Sequence, residues 1–199
     1  MVKKSYFNVL GIVGSPRRGG NTEVLVDEVL KGAEEAGARI EKVLLNQLNI
    51  KPCQACDSCY KTGHCVQDDD MIDLFEKMDH SKIWILGTPI YWWGPTAQFK
   101  AFLDRWYSPQ HQNFKGKKKV ILVIPFEGAH PKYARHTVGM LTDVLEYLSM
   151  ELLETIIAPG VLQRGEVKKD ALMLTNARNA GQTAINSLKN GELKIRNEN

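Results

Sequence analysis

Five short apolar runs, at 7–13, 39–45, 83–87, 120–125 and 155–158, punctuate this chain, and stripes of apolar residues at helical spacing lie between them. Runs of this length read as buried strands, and strands alternating with helices predict a parallel sheet covered on both faces. Leu25, Val29 and Ala33 mark the first helix, which Gly37 ends. Met71, Ile72, Phe75 and Met78 mark another, and Phe99, Phe102, Leu103 and Trp106 a third. Val138, Leu141, Leu145 and Leu148 predict a helix over about 134–150. A last helix covers about 170–188, before a polar, frayed tail from Lys189. The expected fold is α/β, a doubly wound five-stranded parallel sheet with helices on both faces. The 199 residues fit one domain, 1–199, with a cysteine-rich loop at about 52–66.

All four cysteines fall within that loop, as Cys53, Cys56, Cys59 and Cys65 in the pattern C-x2-C-x2-C-x5-C. The chain opens Met-Val-Lys-Lys with no apolar signal region, and no apolar stretch is long enough to span a membrane. The expected compartment is the cytoplasm, where clustered thiols bind metal or do redox chemistry more often than they form disulfides. Disulfides within the loop are the minority reading, suited to a hyperthermophile. Three ligands recurring every third residue in one loop favour an iron–sulfur cluster over zinc, which more often uses two separated pairs. Cysteines without any guest are the remaining alternative. His64 reads as solvent-facing. Asp68, Asp69 and Asp70 read as caps of the helix that follows rather than as metal ligands.

In an open sheet of this kind, ligands bind outside the carboxyl ends of the strands. Three loops leave such ends. The first, 14–22, runs Gly-Ser-Pro-Arg-Arg-Gly-Gly-Asn-Thr into a helix. Free N–H groups and the helix dipole favour an anion there, with Ser15, Arg17, Gly19, Asn21 and Thr22 as candidate contacts. No lysine stands where a nucleotide P-loop needs one, and the dinucleotide fingerprint is absent, so a monoester phosphate is the natural guest. A plain turn with a helix cap explains the same residues when they are taken alone. The second loop, Pro89, Ile90, Tyr91, Trp92, Trp93 and Gly94, offers aromatic walls and backbone donors for a flat ring. Core packing or subunit contact is the competing explanation for its two tryptophans. Phe126, Glu127 and Gly128 would close the third side. No acid or base is assigned; Tyr91, Glu127, His130 and Arg135 merely border the expected ring site.

The net charge of +3 is too small to argue for nucleic acid or an anionic membrane. The one basic cluster, 115–119, precedes a strand and reads as solvated.

These motifs resemble those of the NADPH-dependent FMN reductase family of flavodoxin-like folds, and within it the iron–sulfur flavoproteins. The resemblance rests on 14–22, on Thr-Pro-Ile-Tyr-Trp-Trp-Gly at 88–94 leading into Lys-Ala-Phe-Leu-Asp-Arg at 100–105, and on the four cysteines followed by Asp-Asp-Met at 69–71. It covers most of 6–130. It implies FMN with its phosphate in 15–22 and its ring against 89–94 and 126–128, a [4Fe–4S] cluster on the cysteines, and a homodimer or homotetramer. The function expected is that of an electron-transfer oxidoreductase. It would take single electrons from a ferredoxin-like donor through the cluster to FMN, and pass them to a small oxidant. Two rivals are an NAD(P)H-dependent FMN or quinone reductase without a cluster, and a non-enzymatic flavodoxin-type carrier.

Overall fold

The computed structural model describes residues 7–197. Its elements alternate as expected: β1 (Asn8–Val13), α1 (Asn21–Glu35), β2 (Arg39–Leu44), α2 (Ser58–Thr62), α3 (Met71–His80), β3 (Ile83–Gly87), α4 (Ala97–Asp104), β4 (Lys119–Pro125), α5 (Arg135–Tyr147), β5 (Glu151–Ala158) and α6 (Ala171–Asn197). The strands form one all-parallel sheet in the order β2-β1-β3-β4-β5. This is the flavodoxin-like order, and its switch point lies between β1 and β3. The register aligns Val13 with Leu44 and Gly87, and Gly87 with Val123, so the loops that follow open along one edge.

Side chains alternate across the sheet with period two. Ile83 and Ile85 of β3, with Val9 and Val13 of β1, face α1 and α6. Trp84 and Leu86, with Leu10 and Ile12, face α3, α4 and α5. On that second face Trp84, Phe102, Trp106 and Phe114 meet edge-on, with centroids 5.1–6.3 Å apart. On the first face α1 and α6 cross at two glycines. A Cβ on Gly181 would lie 2.0 Å from the Val29 carbonyl oxygen, and one on Gly32 1.9 Å from that of Arg178. Only glycine permits an approach this close.

Four expectations are corrected. β5 begins at Glu151, not Thr155. Helix α5 stops at Tyr147, and Ser149, at φ 52°, turns the chain into the strand; at a sheet edge the strand carries exposed charges that hide its pattern. Helix α6 continues to Asn197, past the expected frayed tail. Within the basic run, Lys118 is buried rather than solvated. Its Nζ donates to the Asp79 and Ser81 carbonyls at 2.6 and 2.9 Å, at the end of α3, and burial pushes its pKa down to about 8. The acids before α3 do more than cap it. Asp69 Oδ1 accepts from the Met71 N–H at 3.1 Å, but its other oxygen, and Asp70, hold distant backbone.

Candidate functional site

At the carboxyl edge of the sheet, a cavity of about 230 Å³ opens among the loops after β1, β3 and β4. The first loop contributes Ser15, Arg17, Asn21 and Thr22, the second Pro89, Ile90 and Tyr91, the third Phe126 and Glu127. Gly19, Trp92, Trp93, Gly94 and Gly128 stand outside these walls. A fourth wall, Val161, Leu162 and Arg164 after β5, has no counterpart in the sequence reading.

The first-loop residues divide the work. The Arg17 guanidinium donates to the Leu162 carbonyl at 3.0 Å. The Asn21 amide donates to the carbonyls of Val161 at 3.3 Å and Gln163 at 3.0 Å, while its oxygen accepts from the Val167 N–H at 3.1 Å. Both side chains therefore bind the fourth wall. The Gly19 N–H is likewise taken, by Glu23 at 2.6 Å. Burial works to raise the Glu23 carboxyl, but Lys42, 2.8 Å away, and the Gly19 N–H outweigh it and hold it below its ordinary range. Ser15 is buried, and among the described residues its hydroxyl accepts only the Arg17 N–H, at 3.2 Å. The Thr22 hydroxyl is buried without a partner among the described residues. An unpartnered hydroxyl in the first turn of a 15-residue helix, lining a cavity, is the chemistry that a phosphate oxygen completes. The apolar Pro89, Ile90 and Phe126 suit a flat ring beyond it. The residues present thus fit FMN.

The second loop is locked at both ends. The Thr96 hydroxyl caps α4 at Phe99 N and donates to the Gly14 carbonyl at 2.5 Å, tying it to the first loop. Tyr91 and Gly94 exchange backbone hydrogen bonds at 2.9 and 3.1 Å, closing a two-residue turn on Trp92 and Trp93. Both tryptophans have left-handed backbones, φ 50° and 61°. Turns of this kind prefer Asn-Gly, and each non-glycine residue here costs about 1–2 kcal/mol. The Trp93 carbonyl accepts from Thr137 Oγ1 at 3.0 Å, and Trp92 is 92% exposed.

The cysteine segment lies at the far end of α4. Left-handed backbones at Ala55, Asp57 and Gly63 coil it around the short helix α2. All four cysteines line one small cavity with Gln67, Arg105, Tyr107 and Ser108. Cys59 is buried, Cys53 and Cys65 half-buried, and Cys56 exposed; none forms a disulfide. Among the described residues they are not already gathered into a closed ligand set. The Ser58 backbone N–H and hydroxyl lower the Cys56 thiol pKa. His64 is exposed and stays outside the cavity.

Around this loop runs a set of anchors that the sequence did not announce. Asp69 Oδ2 accepts from Arg105 Nη1 at 2.5 Å and from the Lys51 N–H at 3.0 Å, and Arg105 also donates to the Lys51 carbonyl at 3.1 Å. Both side chains of the ion pair are buried. Burial works to raise the Asp69 carboxyl, but Arg105 and the N–H groups of Lys51 and Met71 outweigh it and hold it below the usual carboxylate range. The Tyr107 hydroxyl donates to Asp57 at 3.0 Å, which pushes the phenol up to about 12. Gln67 donates to the Pro52 carbonyl at 3.0 Å. Four reduced soft ligands facing one pocket, with the buried Arg105 behind them, fit an iron–sulfur centre. The eight residues of α4, about 12 Å of helix, separate this pocket from the flavin-like cavity.

Comparison with known proteins agrees. The family described as NADPH-dependent FMN reductase matches residues 7–160. An iron–sulfur flavoprotein of Archaeoglobus fulgidus is 40% identical over 164 residues, covering 82% of this chain and 73% of its own. Another, from Methanocaldococcus jannaschii, is 31% identical over 194 residues, covering 91% of this chain and 97% of its own. Among solved structures, an NAD(P)H:quinone oxidoreductase from Methanothermobacter marburgensis superposes with a TM-score of 0.72 at 17% identity, covering 89% of this chain and 98% of that one. That last likeness is one of fold. The chain belongs to the NADPH-dependent FMN reductase family, among its iron–sulfur flavoproteins, and is a flavin-dependent oxidoreductase.

Proposed function

We propose that this protein holds FMN in the cavity at the sheet edge and a [4Fe–4S] cluster on Cys53, Cys56, Cys59 and Cys65, and conducts electrons from a one-electron donor to a two-electron acceptor. The observation that carries the reading is the placement of four reduced thiols on one pocket, one helix away from a phosphate-type cavity. A cluster exchanges single electrons and FMN one or two, so together they supply the conversion between the two kinds of partner. Thr22 and Ser15 hold the phosphate. Arg17, Gly19 and Asn21 shape its loop. Pro89, Ile90, Tyr91, Phe126 and Glu127 border the ring, and Trp92, Trp93, Gly94 and Gly128 form the outer rim. The donor is a ferredoxin-like protein and the acceptor a small oxidant. The chain works as a single domain, in the cytoplasm, as a homodimer or homotetramer.

Iron, acid-labile sulfide and flavin, measured on protein purified without oxygen, test the reading. It expects near four iron, four sulfide and one FMN per chain. FMN without iron would leave an NAD(P)H-linked flavin reductase, and fast direct bleaching by NADPH would then confirm that alternative.

A further inference from the structure

Arg105 is a buried cation with more donors than partners. It is 2% exposed. Its Nη1 serves both Asp69 and the Lys51 carbonyl, and its Nε is buried with no partner among the described residues. Leaving such a donor unmade carries a desolvation cost, which is larger for a charged group. The side chain lines the cavity that all four cysteines line, and it is the one cation among the lining residues. Burial works to lower the Arg105 pKa, but Asp69, and behind it the Cys65 sulfur, raise it above its ordinary value. A fork meant only to tie Asp69 to Lys51 has no need of a face toward the thiols.

We infer that Arg105 is the outer donor of the cysteine pocket, serving the Cys65 thiolate as hydrogen-bond partner and counter-charge and thereby setting how easily a centre held there is reduced. The inference rests on the cluster reading proposed above. Four thiolates make any bound centre net negative, and an added electron deepens that charge. A buried guanidinium alongside favours the reduced form, because hydrogen bonds and charge around the sulfurs set the potential. Asp69 acts through Arg105 as a positioning residue: it fixes the fork and leaves the rest of the guanidinium to the pocket.

The test uses the anaerobically purified protein and two variants, Arg105→Lys and the double variant Arg105→Gln with Asp69→Asn. The double variant leaves no buried charge unpaired. Readouts are iron content, the rate of iron loss to a chelator, and the midpoint potential by redox titration followed in the visible spectrum and by electron paramagnetic resonance. The double variant is expected to have a lower midpoint potential and to lose iron roughly 10–100-fold faster. Arg105→Lys keeps the charge without the fork and should fall between it and the parent. Should the double variant fail to fold, Arg105→Lys decides alone, by the same lowered potential. Variants that only melt earlier, with potential and iron retention unchanged, would overturn the inference while the cluster reading stands. A parent protein without iron and sulfide would overturn both.

Discussion

Asn21 joins the first and last loops of the flavin-like cavity: its side-chain oxygen accepts from the Val167 N–H at 3.1 Å while its amide donates to Val161 and Gln163. Asn21→Ala should loosen the Val161–Arg164 wall and cost about 1–2 kcal/mol of stability. Asn21→Asp should do worse, because it sets a carboxylate against two carbonyl oxygens. Thermal denaturation and FMN titration by flavin fluorescence measure both effects.

Thr22→Val isolates the unpartnered hydroxyl. The apo protein should be as stable as the parent or slightly more so, since a buried unsatisfied group is removed without changing shape. FMN affinity should fall by roughly tenfold or more, as a hydrogen bond to a charged acceptor is worth about 1.5–3 kcal/mol. Riboflavin, which lacks the phosphate, should bind both proteins alike; an equal loss for riboflavin would place the hydroxyl elsewhere.

The Asp69–Arg105 pair makes stability depend on pH in one direction. The folded Asp69 carboxyl titrates below its unfolded value. Its contribution is therefore complete above about pH 4, the ordinary range of the group, and is lost as pH falls through the lower folded value. Asp69→Asn should cost about 3–5 kcal/mol near neutrality, the usual effect of stranding one member of a buried pair. The gap between parent and variant should shrink progressively below pH 4, as read by urea denaturation of the iron-free proteins.

Gly181→Ala drives a methyl group into the Val29 carbonyl where α6 crosses α1. The helices must separate, at a cost of about 1–3 kcal/mol or more. Because α1 carries Thr22 at its first turn, FMN affinity should fall together with the melting temperature.

Replacing Trp92 and Trp93 together, by Asn and Gly, gives the turn the residues its backbone asks for. The melting temperature should rise, by a gain of about 1–2 kcal/mol. FMN affinity should hold, since neither ring lines the cavity. A fall in affinity would show that the strained tip reaches the flavin.

Much of the architecture was legible because it depends on local pattern. Val9 to Val13 and Ile83 to Leu86 announce strands buried on both faces, and Gly14 and Thr88 announce where they stop. The loops that follow collect at one edge because the topology brings them there. The Asp69–Arg105 pair was not legible. Arg105 continues the apolar stripe of Phe99 and Phe102, where an arginine reads as the polar end of a helix; only its partner, 36 residues earlier, makes it a core residue. The Val161–Arg164 wall escaped for a similar reason. Nothing in its composition marks it, and it belongs to the site because Arg17 and Asn21 reach across 140 residues or more to hold it.

That reach also bears on the order in which the protein can be completed during synthesis. The anchors described around the cysteines run from Asn49 to Gln110, so all of them are synthesised before β4 and β5. The flavin-like cavity needs Val161 to Val167, which follow β5. Chains emerge amino end first. On the reading proposed above, the cysteine ligands and their anchors are therefore synthesised well before the last wall of the flavin cavity.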